Sequence, residues 1–233
     1  MCYHNLMNKN FISPVAYIRT DFKEKFGIPR QSGRVQSLIA SIVFEPEYRN
    51  PDAIRGIDGF SHLWLIFDFS KAHKKGFTPT VRPPRLGGNQ KVGVFASRSP
   101  FRPNSLGLSS VKLVGVEQTE NLGTVLKVSG ADLLDGTPIY DIKPYLPFTD
   151  CHIDAVGGYA DEHTSHRLEV IVKEGAIDLL PEEKAQALID CLAEDPRPSY
   201  HDDEREYGMK FSDYNIRFSV KENTLTILET EKV

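Results

Sequence analysis

Apolar residues in the first two thirds of the chain occur in short runs of strand length, separated by turns rich in proline and glycine. The longest run, residues 60–69, is nearly continuous and is typical of a buried strand. Shorter strand-like segments are predicted at residues 15–19, 34–44, 91–97, 108–116, 124–128 and 139–142. Many short strands with almost no helical periodicity predict a mainly β fold built as a closed or nearly closed barrel.

The pattern changes after residue 157. Residues 167–173 alternate like a strand, and residues 215–220 and 224–229 predict a hairpin. A helix is predicted over residues 181–194, because a proline at its first position and two glutamates in its first turn precede apolar residues at helical spacing. These apolar residues are Ala185, Leu188, Ile189 and Leu192. We therefore expect a barrel domain at residues 1–155 and a small α+β domain at residues 165–233, joined by the polar segment 157–166.

Length and composition favour an ordinary globular protein. The chain has 233 residues, of which 40% are hydrophobic and 26% are charged, and no apolar run approaches the roughly 18–20 residues that cross a bilayer. The first ten residues lack the apolar core of a secretory signal. Cys2, Cys151 and Cys191 are too few and too far apart for a disulfide framework or a CxxC metal site. We expect a reduced, cytoplasmic protein without a membrane segment.

Charge is distributed unevenly, although the formal net charge is only −4. Residues 69–116 contain nine basic residues and no acidic one, whereas residues 150–233 contain 20 acidic and nine basic residues. Four of the nine are arginines interleaved with proline, glycine and phenylalanine, and arginine binds phosphate or carboxylate through two parallel hydrogen bonds. The basic stretch, which we call the acid-free segment, predicts an anionic ligand, with nucleic acid favoured over a merely solvated charged face.

Common cofactor and catalytic motifs are missing. The sequence contains no GxxxxGK[ST] for a phosphate loop, no GxGxxG after a strand for a Rossmann site, and no GxSxG for a serine nucleophile. His163 and His166 form an HxxH pair without a nearby third ligand, so we predict no metal site. Nothing in the sequence therefore supports the usual nucleotide, methyl-donor or metal sites.

Polar loops punctuated by proline and glycine are the remaining candidates for a functional site. They lie at residues 28–32, at 81–89 and 97–107, and at 132–147. Proline fixes the backbone and glycine permits close approach, so such loops hold a charged or amide group in place. The alternative is a set of rigid barrel turns whose arginines pair with aspartates.

Together these loops resemble the TrmO/TsaA family of tRNA methyltransferases. The resemblance runs through PRQ at 29–31, FSHLW at 60–64, VRPPRLGGN at 81–89, GVFASRS at 93–99, FRPN at 101–104 and DGTPIYDIKPY at 135–145. It continues with DPRP at 195–198 and YGM at 207–209, and so covers nearly the whole chain. The resemblance implies a dimeric TsaA-like β-barrel that binds S-adenosylmethionine outside any Rossmann fold, without a metal. It also implies methyl transfer to N6 of threonylcarbamoyladenosine beside the anticodon, so that the partners are a tRNA anticodon stem-loop and a second copy of the chain.

The matching motifs imply which residues bind the methyl donor. These are Pro29, Arg30, Gln31, Ser70, Lys71, Arg98, Leu108, Asp135, Gly136, Thr137 and Pro138. Ser70 departs from the family pattern, in which a histidine is common at that position. An ordinary Asp-Gly turn is the alternative for Asp135, and an ion pair at the barrel rim is the alternative for Arg98.

Catalysis and tRNA binding are assigned to further residues. The acceptor nitrogen loses a proton, for which a carboxylate is suited, and we take Asp141 as the first candidate and Asp135 as the second. A structural Asp141 paired with Lys143 or an arginine is equally compatible with the sequence. The residues expected to contact tRNA are Arg82, Arg85, Arg102, Asn104, Tyr145 and Arg197. The alternative function is a non-catalytic RNA- or nucleotide-binding barrel that kept the pocket and lost the transfer reaction.

Overall fold

The structure, a computed structural model, describes residues 11–83, 86, 90–163, 167–197 and 205–233. The strands are β1 (Ala16–Arg19), β2 (Ile39–Phe44), β3 (His62–Asp68), β4 (Thr80–Val81), β5 (Val92–Gly93), β6 (Leu106–Thr119), β7 (Gly123–Ser129), β8 (Pro138–Pro144), β9 (Glu169–Val172), β10 (Glu206–Phe211), β11 (Tyr214–Lys221) and β12 (Thr224–Lys232). The α-helices are α1 (Pro147–Asp150) and α2 (Glu182–Ala193). Short 3-10 helices cover Pro46–Tyr48, Pro51–Ile54, Ile57–Gly59, Val94–Ala96 and Gly158–His163.

Six strands form the first sheet, in the order β1-β2-β7-β6-β3-β8. β8 pairs back onto β1 through Ala16↔Ile139 and Tyr17↔Pro138, so the sheet is a closed barrel. Side chains alternate along each strand, and on β3 the inward positions Leu63, Leu65 and Phe67 are buried. Apolar side chains at such alternating positions fill the barrel and form its core.

Gly107 on β6 lies directly against the ring of Phe67 on the paired strand β3. A Cβ atom at position 107 would clash with that ring, so only glycine allows the phenylalanine to pack inside the barrel at this level. The end of β3 that carries Phe67 is therefore shaped by a residue without a side chain.

The second sheet has the order β10-β11-β12-β9, with β9 parallel to β12. Helix α2 packs on it through Leu188 and Leu192, which are fully buried. The second sheet and helix α2 together are called the C-terminal unit. It contains the predicted helix and the predicted C-terminal hairpin, so the predicted mainly β fold with a small α+β unit is confirmed. Strand β10 was not predicted, because the glycine and lysine within EYGMKF weaken its alternation.

The predicted strand at residues 34–44 is wrong over its first half, because β2 begins only at Ile39. Residues 20–38, which we call the clamp segment, contain no helix or strand. Their apolar side chains, including Phe22, Val35 and Leu38, are buried in the core of the second sheet. Burial of these side chains against the second sheet therefore outweighs their β propensity.

Two other local predictions are changed by the structure. Of the predicted strand at residues 91–97 only Val92–Gly93 is a strand, paired with β4, and a 3-10 helix at Val94–Ala96 follows it. The predicted linker at 157–166 includes the 3-10 helix Gly158–His163, and its residues 164–166 lie outside the described residues. The absence of a long helix between residues 60 and 116 agrees with the prediction throughout the described part of that stretch.

Replacing Phe22 tests whether the clamp segment stabilises the second sheet. Phe22 is buried and packs edge-on against Phe211 with 5.7 Å between ring centroids. We expect Phe22→Ala to lower the free energy of unfolding by about 3–5 kcal/mol, measured by urea denaturation. Phe148→Ala is the matched control, since that side chain is 87% exposed. It should change the free energy of unfolding by less than about 0.5 kcal/mol. Equal effects of the two substitutions would contradict the packing role.

Candidate functional site

A cavity of about 190 Å³ opens where β3 ends. After Asp68 the chain forms a turn, in which the amide of Ala72 donates to the carbonyl of Phe69 over 2.7 Å. The cavity wall combines this turn with parts of the clamp segment and of the loop before β8. The lining residues are Lys25, Ile28, Phe67, Asp68, Phe69, Ser70, Lys71, Ala72, Pro100, Asp132, Leu133, Leu134 and Thr137. Three of the predicted donor-binding residues, Ser70, Lys71 and Thr137, are thus brought together.

Asp132 is a partly buried carboxylate in the cavity wall that the sequence analysis did not assign. The hydroxyl of Ser109 donates to Asp132 Oδ1 over 2.6 Å. Burial raises the pKa of the Asp132 carboxyl above its ordinary value, while the Ser109 hydroxyl, backbone groups at Asp132 and Ser32, and the charge of Arg98 oppose this. Burial has the larger effect, so the net shift of the Asp132 pKa is upward.

Gln31 and Arg98, predicted on separate loops, are in direct contact. Arg98 Nη1 donates to Gln31 Oε1 over 2.6 Å. Pro29, just before them in the clamp segment, is buried and fixes the backbone there. The guanidinium of Arg30 lies elsewhere, since its Nη2 donates to the carbonyl of Arg197 over 2.8 Å. Of the PRQ residues, Gln31 therefore contacts the predicted donor-binding Arg98, while Arg30 contacts the C-terminal unit.

The turn before β8 is held by the clamp segment. Asp135 Oδ1 accepts from the Thr20 amide over 3.0 Å, and Oδ2 pairs with Lys23 Nζ at 3.0 Å. Gly136 has a φ of 74°, a left-handed conformation that favours glycine. The hydroxyl of Thr137 donates to the carbonyl of Leu134 over 2.7 Å, and Pro138 begins β8. Asp135 therefore anchors an Asp-Gly turn, the alternative considered from the sequence.

Leu108 and Asp141 lie on the outer face of the barrel and do not line the cavity. Leu108 pairs with Ile66 on β3, and Ile66 pairs with Asp141 on its other side. Asp141 Oδ2 lies 2.8 Å from Lys143 Nζ, which is the structural pairing considered for Asp141. The structure thus separates the first candidate base from the cavity by the thickness of the sheet.

The residues predicted to contact tRNA differ in their surroundings. Arg82 and Asn104 are exposed, and Arg85 lies outside the described residues. Arg102 Nη1 donates to the carbonyls of Ser97 and Ser99 over 2.8 and 3.3 Å. The Arg102 guanidinium therefore holds the loop of residues 97–102 together, a role that sequence alone did not separate from phosphate binding.

Tyr145 and Arg197 are not among the residues that line the cavity. Tyr145 packs on Trp64 and His62, with 5.4 and 6.1 Å between ring centroids. His62 begins β3 and the cavity opens at the other end of this strand, roughly 20 Å away for seven residues at about 3.3 Å each. Arg197 forms two hydrogen bonds of 2.9 Å with the Asp195 carboxylate, and its side chain is largely buried.

Asp68 is a second cavity carboxylate that sequence reasoning missed. Its Oδ1 lies 2.7 Å from His73 Nε2, so the pair closes the turn that carries Ser70 and Lys71. The available signal was the single acidic residue at the end of the apolar run 60–69. For Asp132 the signal was its place in the DLLDGTP loop, where motif matching selected Asp135 instead.

Metal sites and membrane spans are not found in the described part of the chain. Among the residues that the structure describes, no group of three or more histidine, cysteine or acidic side chains is arranged to hold a metal ion. Within those same ranges, no helix has the length and apolar character needed to span a bilayer.

Comparison with protein families identifies both parts of the chain. The model of the tRNA-methyltransferase O N-terminal domain matches residues 17–151, and the model of the TrmO C-terminal domain matches residues 165–233. The chain belongs to the tRNA-methyltransferase O family. The resemblance read from the sequence motifs is therefore confirmed.

Individual members of the family are similar over nearly the full length. A tRNA (adenine(37)-N6)-methyltransferase of Escherichia coli is 40% identical over 226 residues, which are 93% of this chain and 96% of that protein. A protein of Pseudomonas aeruginosa described as a putative S-adenosylmethionine-dependent methyltransferase is 39% identical over 89% of this chain and 91% of its own length. A crystal structure of TrmO from P. aeruginosa superimposes with a TM-score of 0.78 at 33% identity, covering 96% of this chain and 97% of that one.

Unfolding at different pH values tests the environment of Asp132. Because burial raises the pKa of this carboxyl, its contribution to stability is fully present below its ordinary pKa of about 4 and is lost as the pH rises through the raised value. Asp132→Asn removes this loss. We expect the free energy of unfolding of the variant, relative to that of the wild type, to increase between pH 4 and pH 8 in urea titrations. If the difference in free energy of unfolding between variant and wild type did not change with pH, a raised pKa of Asp132 would be contradicted.

Proposed function

We propose that the chain is an S-adenosylmethionine-dependent methyltransferase that modifies N6 of the adenosine at position 37 of tRNA. The observation that carries this is the family match over both parts of the chain. The E. coli tRNA (adenine(37)-N6)-methyltransferase is 40% identical over 93% of this chain. We propose the threonylcarbamoyl form of that adenosine as the finer substrate, and the cytoplasm as the place of action. Two free thiols, Cys151 and Cys191, are compatible with a reducing compartment.

The cavity has the chemistry that this methyl donor requires. Phe67, Phe69 and Leu133 provide apolar surface for an adenine, while Asp68 and Asp132 provide carboxylates for the positively charged sulfonium or ammonium groups. Its volume of about 190 Å³ is below the roughly 300–1,000 Å³ of typical small-molecule sites. Only part of the donor therefore fits inside, and the remainder extends past the cavity opening.

The predicted residues around the cavity supply the other contacts. Ser70, Lys71 and Thr137 line it, and Arg98, held by Gln31, offers a guanidinium for the donor's carboxylate. S-adenosylmethionine, when bound, supplies a methyl group on a sulfonium that a nitrogen attacks in line. The walls of the cavity hold the reacting groups in that alignment, which contributes up to about 7–11 kcal/mol in favourable cases.

A carboxylate is suited to accept the proton that N6 loses. Asp135 is committed to the Thr20 amide and to Lys23, and Asp141 pairs with Lys143 outside the cavity. Asp132 lies in the cavity wall, and the raised pKa of its carboxyl makes its ionised form a stronger base than an ordinary aspartate. We therefore assign proton acceptance to Asp132 in preference to the two aspartates expected from the sequence.

We assign the part of the acid-free segment that precedes β6 to the tRNA anticodon stem-loop. Three exposed phenylalanines, Phe77, Phe95 and Phe101, accompany its basic residues, and Lys74 Nζ lies 4.0 Å from the centre of the Phe101 ring. Basic side chains that track phosphates, together with aromatic rings on which unpaired bases stack, are typical of single-stranded nucleic-acid sites. Exposed Arg82 belongs to this surface, while Arg102 shapes the loop beside it.

A homodimer is part of the proposal. Leu106, Leu108, Val114 and Val116 are all exposed on the outer face of β6. An apolar strip of this kind is typical of an interface between copies of a chain. In such a dimer Leu108 contacts the partner rather than the cavity of its own subunit.

Calorimetry with S-adenosylmethionine tests the donor site. We expect the wild-type protein to bind it, and Asp135→Ala to weaken binding by about 1.5–3 kcal/mol, because the turn of residues 135–138 loses its charged anchor. Asp141→Ala is the matched control on the outer face and should leave the affinity unchanged. Absence of binding by the folded wild-type protein would contradict the enzyme proposal and favour a non-catalytic RNA-binding barrel.

Titrations with tRNA at several salt concentrations test the acid-free segment. Arg82→Glu combined with Arg85→Glu should weaken binding and reduce the log–log salt slope by roughly 0.7–0.9 for each phosphate that the variant no longer neutralises. Phe95→Ala should weaken binding without changing the slope, since it removes stacking and no charge. Lys232→Glu in the acidic C-terminal unit is the charge-reversal control. Wild-type affinity and slope in the arginine double variant, with sedimentation showing an intact dimer, would refute the assigned surface.

A further inference from the structure

The clamp segment, residues 20–38, touches the cavity on one side and the C-terminal unit on the other. On the cavity side Lys25 and Ile28 belong to the lining. Lys25 Nζ also donates to the carbonyl of Lys71 over 2.9 Å, which ties the segment to the turn behind β3. With the Lys23 and Gln31 contacts already described, one stretch of chain therefore supports most of the predicted donor-binding groups.

Apolar packing fixes the other side of the clamp segment. Phe26 stacks on Tyr207 and Phe218 of the C-terminal sheet, at 6.5 and 6.3 Å between ring centroids. Gly27 has a φ of 91°, and a Cβ atom there would clash with the Met209 side chain. The segment therefore lies flush on β10 immediately before Ile28, whose own side chain reaches both the cavity and the C-terminal core.

Polar contacts reinforce the same interface. Arg34 donates to both oxygens of Glu194 at the end of α2, over 2.7 and 3.3 Å. Ser37 donates to Asp190 of α2. Near the start of the segment, Asp21 pairs with Lys184, and its carbonyl accepts from the Ser212 amide over 2.7 Å. These contacts come from helix α2 and from the turn between β10 and β11.

The clamp segment contains no helix or strand of its own to hold this shape. Fixing an irregular backbone costs about 1–2 kcal/mol per residue in conformational entropy, so such a segment is ordered only by what it packs against. Since most of its buried apolar side chains enter the C-terminal core, that unit sets the position of the cavity wall.

We propose that the C-terminal unit is a positioning element of the methyl-donor site, acting through the clamp segment without touching the donor itself. The proposal rests on the proposed function, because it takes the cavity as the donor site. The 20 acidic residues among residues 150–233 make the unit unsuited to attracting tRNA, which agrees with a positioning role.

The test weakens one contact between α2 and the clamp segment. Glu194→Gln removes the charge that Arg34 and Arg167 pair with, while it keeps the side-chain shape. The matched control is Glu229→Gln, which removes the charge of one carboxylate partner of Arg217 within the same unit and away from the clamp segment, while Glu206 still pairs with Arg217. We expect Glu194→Gln to raise the dissociation constant for S-adenosylmethionine at least fivefold, and the control to change it less than twofold.

Two further measurements separate positioning from a general loss of stability. In Glu194→Gln the KM for S-adenosylmethionine should rise, while kcat at saturating donor and the affinity for tRNA stay within twofold of wild type. Amides of residues 21–36 should exchange hydrogen faster in this variant than in the control. The double variant Arg34→Met, Glu194→Gln should bind the donor no more weakly than the worse single variant, because both act through one contact.

Failure of this proposal is distinguishable from failure of the proposed function. Donor affinity within twofold of wild type in folded Glu194→Gln, or an equal loss in the control, would overturn the positioning role. If Glu194→Gln does not fold, Ser37→Ala, which removes the hydrogen bond to Asp190, takes its place with the same expected results. Absence of donor binding by the wild-type protein would overturn the proposed function. In that case, unchanged hydrogen exchange of residues 21–36 in Glu194→Gln would overturn the positioning role as well.

Discussion

Burial of Phe22, Val35 and Leu38 in the core beneath the second sheet joins the two halves of the molecule. These residues come from the amino-terminal part of the chain, between strands β1 and β2 of the barrel, yet they pack among side chains of α2 and β10. The loops that carry the predicted donor-binding residues are in turn held by the same stretch, through Lys23, Lys25 and Gln31. The shape of the cavity and the stability of the C-terminal core therefore depend on one interface.

Charge is distributed unevenly between the two sides of this interface. The acid-free segment presents basic and aromatic groups, whereas the C-terminal unit is strongly acidic. The cavity holds carboxylates in its wall, at Asp68 and Asp132, each with a partner that orients it: His73 in one case and Ser109 in the other. A cationic small molecule is suited to such a wall, and a polyanion to the surface nearby. This arrangement agrees with the proposed transfer from a sulfonium to tRNA.

Motif matching selected loops that the structure brings together, but it did not separate the side chains that line the cavity from those that lie elsewhere. Ser70, Lys71 and Thr137 line the cavity, and Arg98 contacts Gln31 as neighbouring loops of one site should. Within the DLLDGTP loop, however, Asp135 faces the clamp segment as an anchor and Asp132 faces the cavity. The path of an irregular loop decides which of these carboxylates enters the site, and no periodicity rule predicts that. The position of Asp141 on the outer face also depends on tertiary structure, since a register shift between β3 and β8 accompanies it.

Local pattern by itself determined most of the barrel strands and helix α2, because alternation and helical spacing reflect which face of an element is buried. It also determined the charge separation and the family, through motifs that lie close together along the chain. Only the tertiary structure decided that residues 34–38 leave the predicted strand, that Arg102 braces a loop and that Asp132 lines the cavity. Each of these depends on partners far away along the chain or on the path of a loop. Burial against distant groups there outweighs local propensity, and distant groups have no signature in the neighbouring sequence.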